Sequence, residues 1–510
     1  MRPMDSRRLL DRRGFLALAA SVPALAACTT NSTGTVPLPT APVVPWVPLP
    51  GGSTVSDLRY PNTIPTTTPP LFAGYAPLGD ANALFVPAAS GGTPSPATSP
   101  VPGTLATGSY ATNERYVIKV PTAWNGKLIV AGTPSFRSEF ANDFIWGDFA
   151  LANGYAFASS NKGVLYNAIV ETLAASPSPA HNFPIPFNLA GLEALGFSFR
   201  FGVLNQSGTI ANWNTDFAIL TLSAQNFLAQ SFGRFPTKTY AVGLSNGGAQ
   251  VRSLLENYPS LIDGGVDWSG VYWSTSLSIL NYLPAFLANM PAYIASGYTS
   301  ATAAAAIQAA GYPADIVQAA NAAHPSLWEE YYSNQASFYS DLTLFSYALF
   351  LDSNAASLAG AFTPNGGDPV HLPGTSATAT GLAQPAARAA YAPSGAAAST
   401  IATFAHTGRI GKPLVSIAGT SDMFITNANN AAPYLAAVRA AGNGGKYWQY
   451  LVSGGTHVDT FTPFGYGLQA QLPFAWAAFN QLVAIVERGF AAPGAGTAQT
   501  VTTTSQIRSA

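Results

Sequence analysis

Gly243-Leu244-Ser245-Asn246-Gly247-Gly248 constrains this chain more than any other stretch, because of what flanks it. Residues 237–242 form a β-branched and aromatic run of the length and type used by a buried strand. Residues 249–258 are apolar at helical spacing and are stopped by Pro259. A strand, Gly-x-Ser-x-Gly and a helix in that order describe a sharp turn with a serine at its strained apex and its hydroxyl exposed. The glycines let the turn tighten without a Cβ clash, and the helix N-terminus aims free N–H groups at developing negative charge. A chain with 47 glycines produces such a hexapeptide by chance, as a bland β-to-α turn. The two correct flanks make Ser245 a candidate nucleophile.

A serine hydroxyl is inert at its own pKa and needs a base held by a third group. Asp422 directly follows the strand-like run 413–418, and His457 directly follows the run 446–452. From loops after late parallel strands, such side chains meet above one sheet edge. Asp267, at the end of the strand expected over 262–268, is the competing acid. The other histidines read as structural or solvent-facing: His181 precedes the serine, His324 and His371 fall in a different kind of segment, and His406 has no strand before it. Two backbone N–H groups are expected to stabilise an oxyanion, one from Asn246 and one from the loop Gly132-Thr133-Pro134-Ser135-Phe136. Pro134 has no N–H to give, which leaves Thr133, with Ser135 as the alternative. Trp268, Tyr272 and Trp273 either line an acyl pocket or pack the core.

Charged residues make up only 9% of the 510 positions, hydrophobic ones 48%, and the net charge is −1. Nothing there attracts nucleic acid. The chain has no His-Glu-x-x-His, no Cys/His cluster and no phosphate-binding glycine loop, so no metal or other cofactor is expected. His457 with Asp459 is a pair without a third ligand. Arg12-Arg13-Gly14-Phe15-Leu16 is a twin-arginine signature, followed by an apolar run ending in Leu25-Ala26-Ala27-Cys28. Residues 1–28 therefore read as a signal peptide closed by a lipobox, with Cys28 as the acylated residue. Cys28 is the sole cysteine, so disulfides and cysteine catalysis are excluded. The expected location is the bacterial cell envelope, or the periplasm or exterior, with the membrane touched through a lipid anchor only.

Residues 29–75, rich in Pro, Thr, Ser and Gly, read as a tether, and 491–510 as a loosely ordered tail. Between them strand and helix signals alternate over 76–273 and again over 401–490. Strands are expected over 114–120, 127–132 and 155–159, and helices over 142–153, 216–232 and 474–488. The intervening residues 274–400 carry alanine-rich helical runs (303–310, 314–323) and aromatic clusters such as Trp328-Glu329-Glu330-Tyr331-Tyr332. The fold class is α/β: a mostly parallel sheet with helices on both faces and a large, mainly helical cap inserted before the late strands.

The elbow, Asp422 and His457 together resemble the α/β-hydrolase superfamily over roughly residues 76–490 apart from the cap. Ser245-Asn246-Gly247-Gly248, the stretch from Tyr258-Pro259 to Ile262-Asp263-Gly264-Gly265, and Trp124-Asn125-Gly126-Lys127 add a fainter likeness to tannase and feruloyl-esterase-type enzymes and to hydroxybutyrate-oligomer hydrolases. Tannase-type enzymes usually carry disulfide-linked cysteines before the nucleophile and before the histidine; here those places hold Leu244 and Thr456. The resemblance implies a serine hydrolase cleaving a small or oligomeric carboxylic ester, such as a hydroxyalkanoate oligomer or a phenolic ester. The alternatives are a serine peptidase of the same fold, or a surface lipoprotein that uses the scaffold only for binding.

Overall fold

The computed structural model describes residues 47–59, 99–111, 114–134, 139–162, 166–172, 182–184, 197–203, 210–318, 320–332, 347, 351 and 393–509. In chain order these form β1 (Ser53–Val55), β2 (Gly103–Ala111), β3 (Glu114–Pro121), β4 (Lys127–Gly132), a π-helical turn (Asp143–Gly147) running into α1 (Asp148–Ala152), and β5 (Ala156–Ser160). Then come β6 (Tyr166–Thr172), β7 (Asn182–Pro184), β8 (Phe197–Val203), α2 (Ile210–Phe232), β9 (Lys238–Leu244), α3 (Asn246–Asn257) and β10 (Gly264–Trp268). Among the described residues four helices follow: α4 (Ile279–Ala295), α5 (Ala301–Ala309), α6 (Leu327–Tyr332) and α7 (Gly395–Ala402). The chain closes with β11 (Leu414–Gly419), α8 (Ala431–Ala440), β12 (Tyr447–Val452), α9 (Leu472–Arg488) and β13 (Ala498–Val501).

Ten of these strands make one sheet in the order β1-β2-β3-β5-β4-β9-β10-β11-β12-β13. The first three pairings are antiparallel and every pairing from β5 to β13 is parallel. Buried strands alternate their side chains between faces. Ile129 and Ala131 join one apolar core with Phe474, Ala478 and Phe479 of α9, and Leu128 and Val130 join a second with Phe217, Leu228, Val251 and Leu255 of α2 and α3. Helices thus cover both faces, and the mostly parallel α/β sheet expected from the sequence is the architecture observed. Register levels the carboxyl ends of the central strands: Gly132 lies opposite Gly243, Leu244 opposite Trp268, Trp268 opposite Ile417, and Gly419 opposite Val452. In such sheets this edge is where ligands bind.

Four expectations need correction. The tail is not loose: Ala498–Val501 pairs in parallel with β12, and Val501 and Ile507 are buried. A Thr-Val strand end supplies the ladder bonds that β12 would otherwise leave unmet. The tether is also partly folded, because β1 pairs with β2, Leu58 is buried, and the Val47 N–H donates to Ser223 Oγ (3.1 Å). Residues 314–318 are not helical. There the Asp315 carboxylate instead accepts from Ser326 Oγ (2.6 Å) and the Trp328 N–H (2.8 Å), and Val317 bridges to Ser326. Finally, α2 begins at Ile210 rather than after residue 215, since burial of Ile210 and Trp213 extends it upstream. The sequence reading also lacked a second sheet, β6-β8-β7, antiparallel throughout.

Candidate active site

Ser245 stands between β9 and α3 at φ 61° and ψ −119°. A non-glycine residue held there costs on the order of 1–3 kcal/mol and persists only when its surroundings over-determine it. They do: its N–H donates to the Trp268 carbonyl (2.8 Å), and its own carbonyl accepts from Ala249 (3.0 Å) and Val271 (3.1 Å). The flanking glycines serve close approach. A Cβ on Gly243 or Gly132 would fall on the backbone of Gly247, and one on Gly247 would fall on the Gly132 carbonyl. Strand ends and helix start therefore nest only because all three lack side chains.

Asp422 and His457 meet. Asp422 Oδ2 lies 3.0 Å from His457 Nδ1, while its Oδ1 accepts from the Phe424 (2.9 Å) and Ile425 (2.8 Å) N–H groups. Both residues are buried, and the ring of Phe424 stands edge-on to the imidazole at 5.2 Å. The two loops are laced together: the Ser421 N–H donates to the Gly455 carbonyl (2.8 Å) and the Gly454 N–H to Thr420 Oγ1 (2.9 Å). With Nδ1 facing a carboxylate, Nε2 is the nitrogen left to exchange protons. Asp267 is engaged elsewhere. Its Oδ2 holds Arg252 Nε and Nη2, each at 2.6 Å, and accepts from Ser416 Oγ (3.2 Å), while Oδ1 accepts from the Gly270 N–H (2.8 Å). Arg252 in turn lies 4.1 Å from the Tyr434 ring centroid. Of the two candidate acids, His457 is paired with Asp422.

Asn246 is the first residue of α3, so its N–H has no intrahelical acceptor and sits at the positive end of the helix dipole. Thr133 does not fill the place expected of it. Its N–H donates to Gln250 Oε1 (3.0 Å), a side chain that reaches back from the first turns of α3. The alternative, Ser135, lies outside the described residues, as do Cys28, Arg12, Arg13, His181 and His371.

The inserted helices reach this edge of the sheet. The His457 N–H donates to the Tyr331 hydroxyl (3.4 Å), and the Tyr347 hydroxyl faces the Asn246 side chain. Burial, reinforced by the Asp422 charge, pushes the pKa of Tyr331 and Tyr312 well above that of a free phenol, so both remain protonated. Trp268 packs in the core, and Trp273 packs on Tyr347 (5.2 Å) and Phe404 (5.6 Å). Tyr272 turns away to stack on His406. That histidine bridges the Trp273 N–H (3.2 Å) and the Ala249 carbonyl (3.1 Å), and His324 contacts Glu330 (2.8 Å), both as structural residues. Asp459 accepts from the Gln471 (2.7 Å) and Leu472 (3.1 Å) N–H groups at the start of α9, which accounts for its proximity to His457 in sequence. Among the described residues no cluster of three metal-ligating side chains occurs, and no helix is long and apolar enough to cross a membrane. Tyr331 and Tyr347 were not singled out from the sequence. Only the aromatic cluster around Trp328 hinted at the first.

No protein-family model matches the sequence, and no curated protein matches it. Solved structures to which the chain is similar include feruloyl esterase B from Aspergillus oryzae, at 14% identity and a TM-score of 0.42, over 79% of this chain and 84% of that one. Tannin acyl hydrolase from Aspergillus niger is similar at 12% identity and a TM-score of 0.37, over 77% and 80% of the two chains. A Pyrococcus horikoshii acylaminoacyl peptidase is similar at 8% identity and a TM-score of 0.36, over 79% of this chain and 43% of its own.

Proposed function

We propose that this protein is a serine hydrolase that cleaves carboxylic esters through Ser245, His457 and Asp422. The observation that carries the proposal is the 3.0 Å contact of Asp422 with His457 at the sheet edge where Ser245 is held in a left-handed conformation. Ser245 Oγ attacks the ester carbonyl as His457 Nε2 takes its proton, and Asp422 holds the imidazole and stabilises the imidazolium. The Asn246 N–H donates to the oxyanion of the tetrahedral intermediate. Collapse breaks the bond to the alkoxy group, which leaves with the proton from His457 as an alcohol. Water, deprotonated by His457, then attacks the acyl-enzyme and releases the acid and Ser245. The described inserted helices, which bring Tyr331 to His457, shield the site and select the ester, with hydroxyalkanoate oligomers and aryl or phenolic esters as the proposed classes.

A panel of aryl and alkyl esters beside matched anilides tests the reaction class. Ester turnover that vanishes in Ser245→Ala, with anilides slower by orders of magnitude, is expected. Preferential anilide cleavage would make the protein a peptidase, and no turnover of either class would leave a binding scaffold. The N-terminal signals support an envelope location with Cys28 lipidated. Cys28→Ser should then shift the protein out of the membrane fraction or leave it unprocessed, and unchanged fractionation and processing would remove the anchor.

A further inference from the structure

Thr133 is held at both ends of its backbone. Its N–H is taken by Gln250, whose Nε2 donates to the Trp213 carbonyl (2.8 Å). Its carbonyl accepts from Lys162 Nζ at 2.6 Å, within a buried environment. Lys162 is 3% exposed and has φ 50°, a left-handed conformation in a residue with a side chain. Its ammonium sits 4.5 Å from the Trp213 ring centroid. The backbone N–H of Lys162 donates to Ser160 Oγ (3.2 Å), and that hydroxyl donates to Asp216 Oδ2 (2.7 Å). Burial pulls the lysine pKa well down and the Asp216 charge pulls it back, yet an amine donates to the Thr133 carbonyl in either protonation state.

A buried lysine and a left-handed backbone are each costly, so a site that keeps both is built around them. What they hold borders the first turn of the helix that follows Ser245. A Cβ on Gly247 would stand 3.2 Å from the Thr133 nitrogen, so the Thr133 backbone forms a wall beside the start of α3, where the Asn246 N–H emerges. The Gly132 carbonyl is fixed too, by Asn142 Nδ2 (3.1 Å). Sub-ångström placement of such a wall governs how well an oxyanion is met, because its stabilisation depends on pre-set geometry.

We propose that Lys162 is a positioning residue for the reaction: its bond to the Thr133 carbonyl fixes the Gly132–Pro134 loop against α3 and so sets the shape of the oxyanion site. The role rests on the serine-hydrolase reading. Lys162→Met removes the donor at similar volume. In the full chain, kcat/KM for an aryl ester and affinity for an aryl trifluoromethyl ketone, to which Ser245 adds as to a substrate, should fall together by roughly 10–100-fold. Affinity for the carboxylate product should stay within about two-fold, whereas a merely structural loss would lower all three. Lys162→Arg, which keeps a donor, should recover part of the lost rate. Should the methionine variant not fold, Lys162→Gln, polar but too short to reach, is expected to show the same signature. Rates and ketone affinity within about two-fold of the parent would overturn the role. So would a rate loss without a matching loss of ketone affinity, or a loss shared equally by product. A parent protein that binds neither the ketone nor a fluorophosphonate would overturn the hydrolase reading instead.

Discussion

Ser245, Asp267 and Asp422 show how neighbours decide what a side chain does. Asp267 near the end of β10 and Asp422 after β11 stand at the same sheet edge, and the sequence left both open as the acid. What separates them is Arg252, seven positions after Ser245, whose guanidinium occupies Asp267 in a fully buried pair. No local pattern announces that pairing, because it depends on α3 lying across β10. The two substitutions should therefore fail in different ways. Asp422→Asn should lower kcat by about 10⁴-fold, since the imidazole loses its orienting carboxylate. Asp267→Asn strands a buried cation and should cost about 3–5 kcal/mol of stability, with kcat per folded molecule little changed. Urea unfolding beside ester kinetics on both variants checks this, and a collapse of kcat in folded Asp267→Asn would contradict it. Thr133 illustrates the reverse: its position after β4 was legible, but the capture of its N–H by Gln250 was not, since that contact spans 117 residues.

Elements were legible where period and punctuation agreed. The strand ending at Leu244 and the helix stopped before Pro259 emerged as expected, as did β4, β11, β12 and α9. Where a tertiary contact outbid local propensity, the reading failed, as at residues 314–318, where Asp315 organises a turn in an alanine-rich stretch. His406, in the link between α7 and β11, gives this scale a measurable consequence. Burial, with Arg252 repelling a proton nearby, pulls its pKa from 6.5 down to about 3. Below about pH 6.5 the unfolded chain takes up a proton that the folded chain refuses. Stability present at neutral pH is thus lost as the pH falls toward 3, by up to about 1.4 kcal/mol per pH unit. His406→Gln removes that proton from the balance and leaves the carboxylates as they were. Urea unfolding from pH 7 to pH 4 should therefore give the variant the shallower slope, and equal slopes would refute a neutral buried His406.

At the scale of the whole molecule, alternating strand and helix signals sufficed for the class of fold and for the edge on which the site lies. They did not reveal how the ends of the sheet are finished. Residues 53–55 and 498–501 close it as β1 and β13, although their composition reads as tether and tail. Short edge strands carry little periodicity, and their pairing is dictated by the open ladder beside them. The helices inserted between β10 and β11 share one apolar core with the sheet, and Tyr331 joins them to His457. The proposed chemistry concentrates reactivity on one hydroxyl. Incubation of the purified protein with a fluorophosphonate, followed by peptide mapping, tests that most directly. A single stoichiometric adduct on Ser245, lost in Ser245→Ala and strongly slowed in His457→Ala, is the expected result. A folded protein that stays unmodified, or one labelled at another serine, would contradict the assignment of Ser245 as nucleophile.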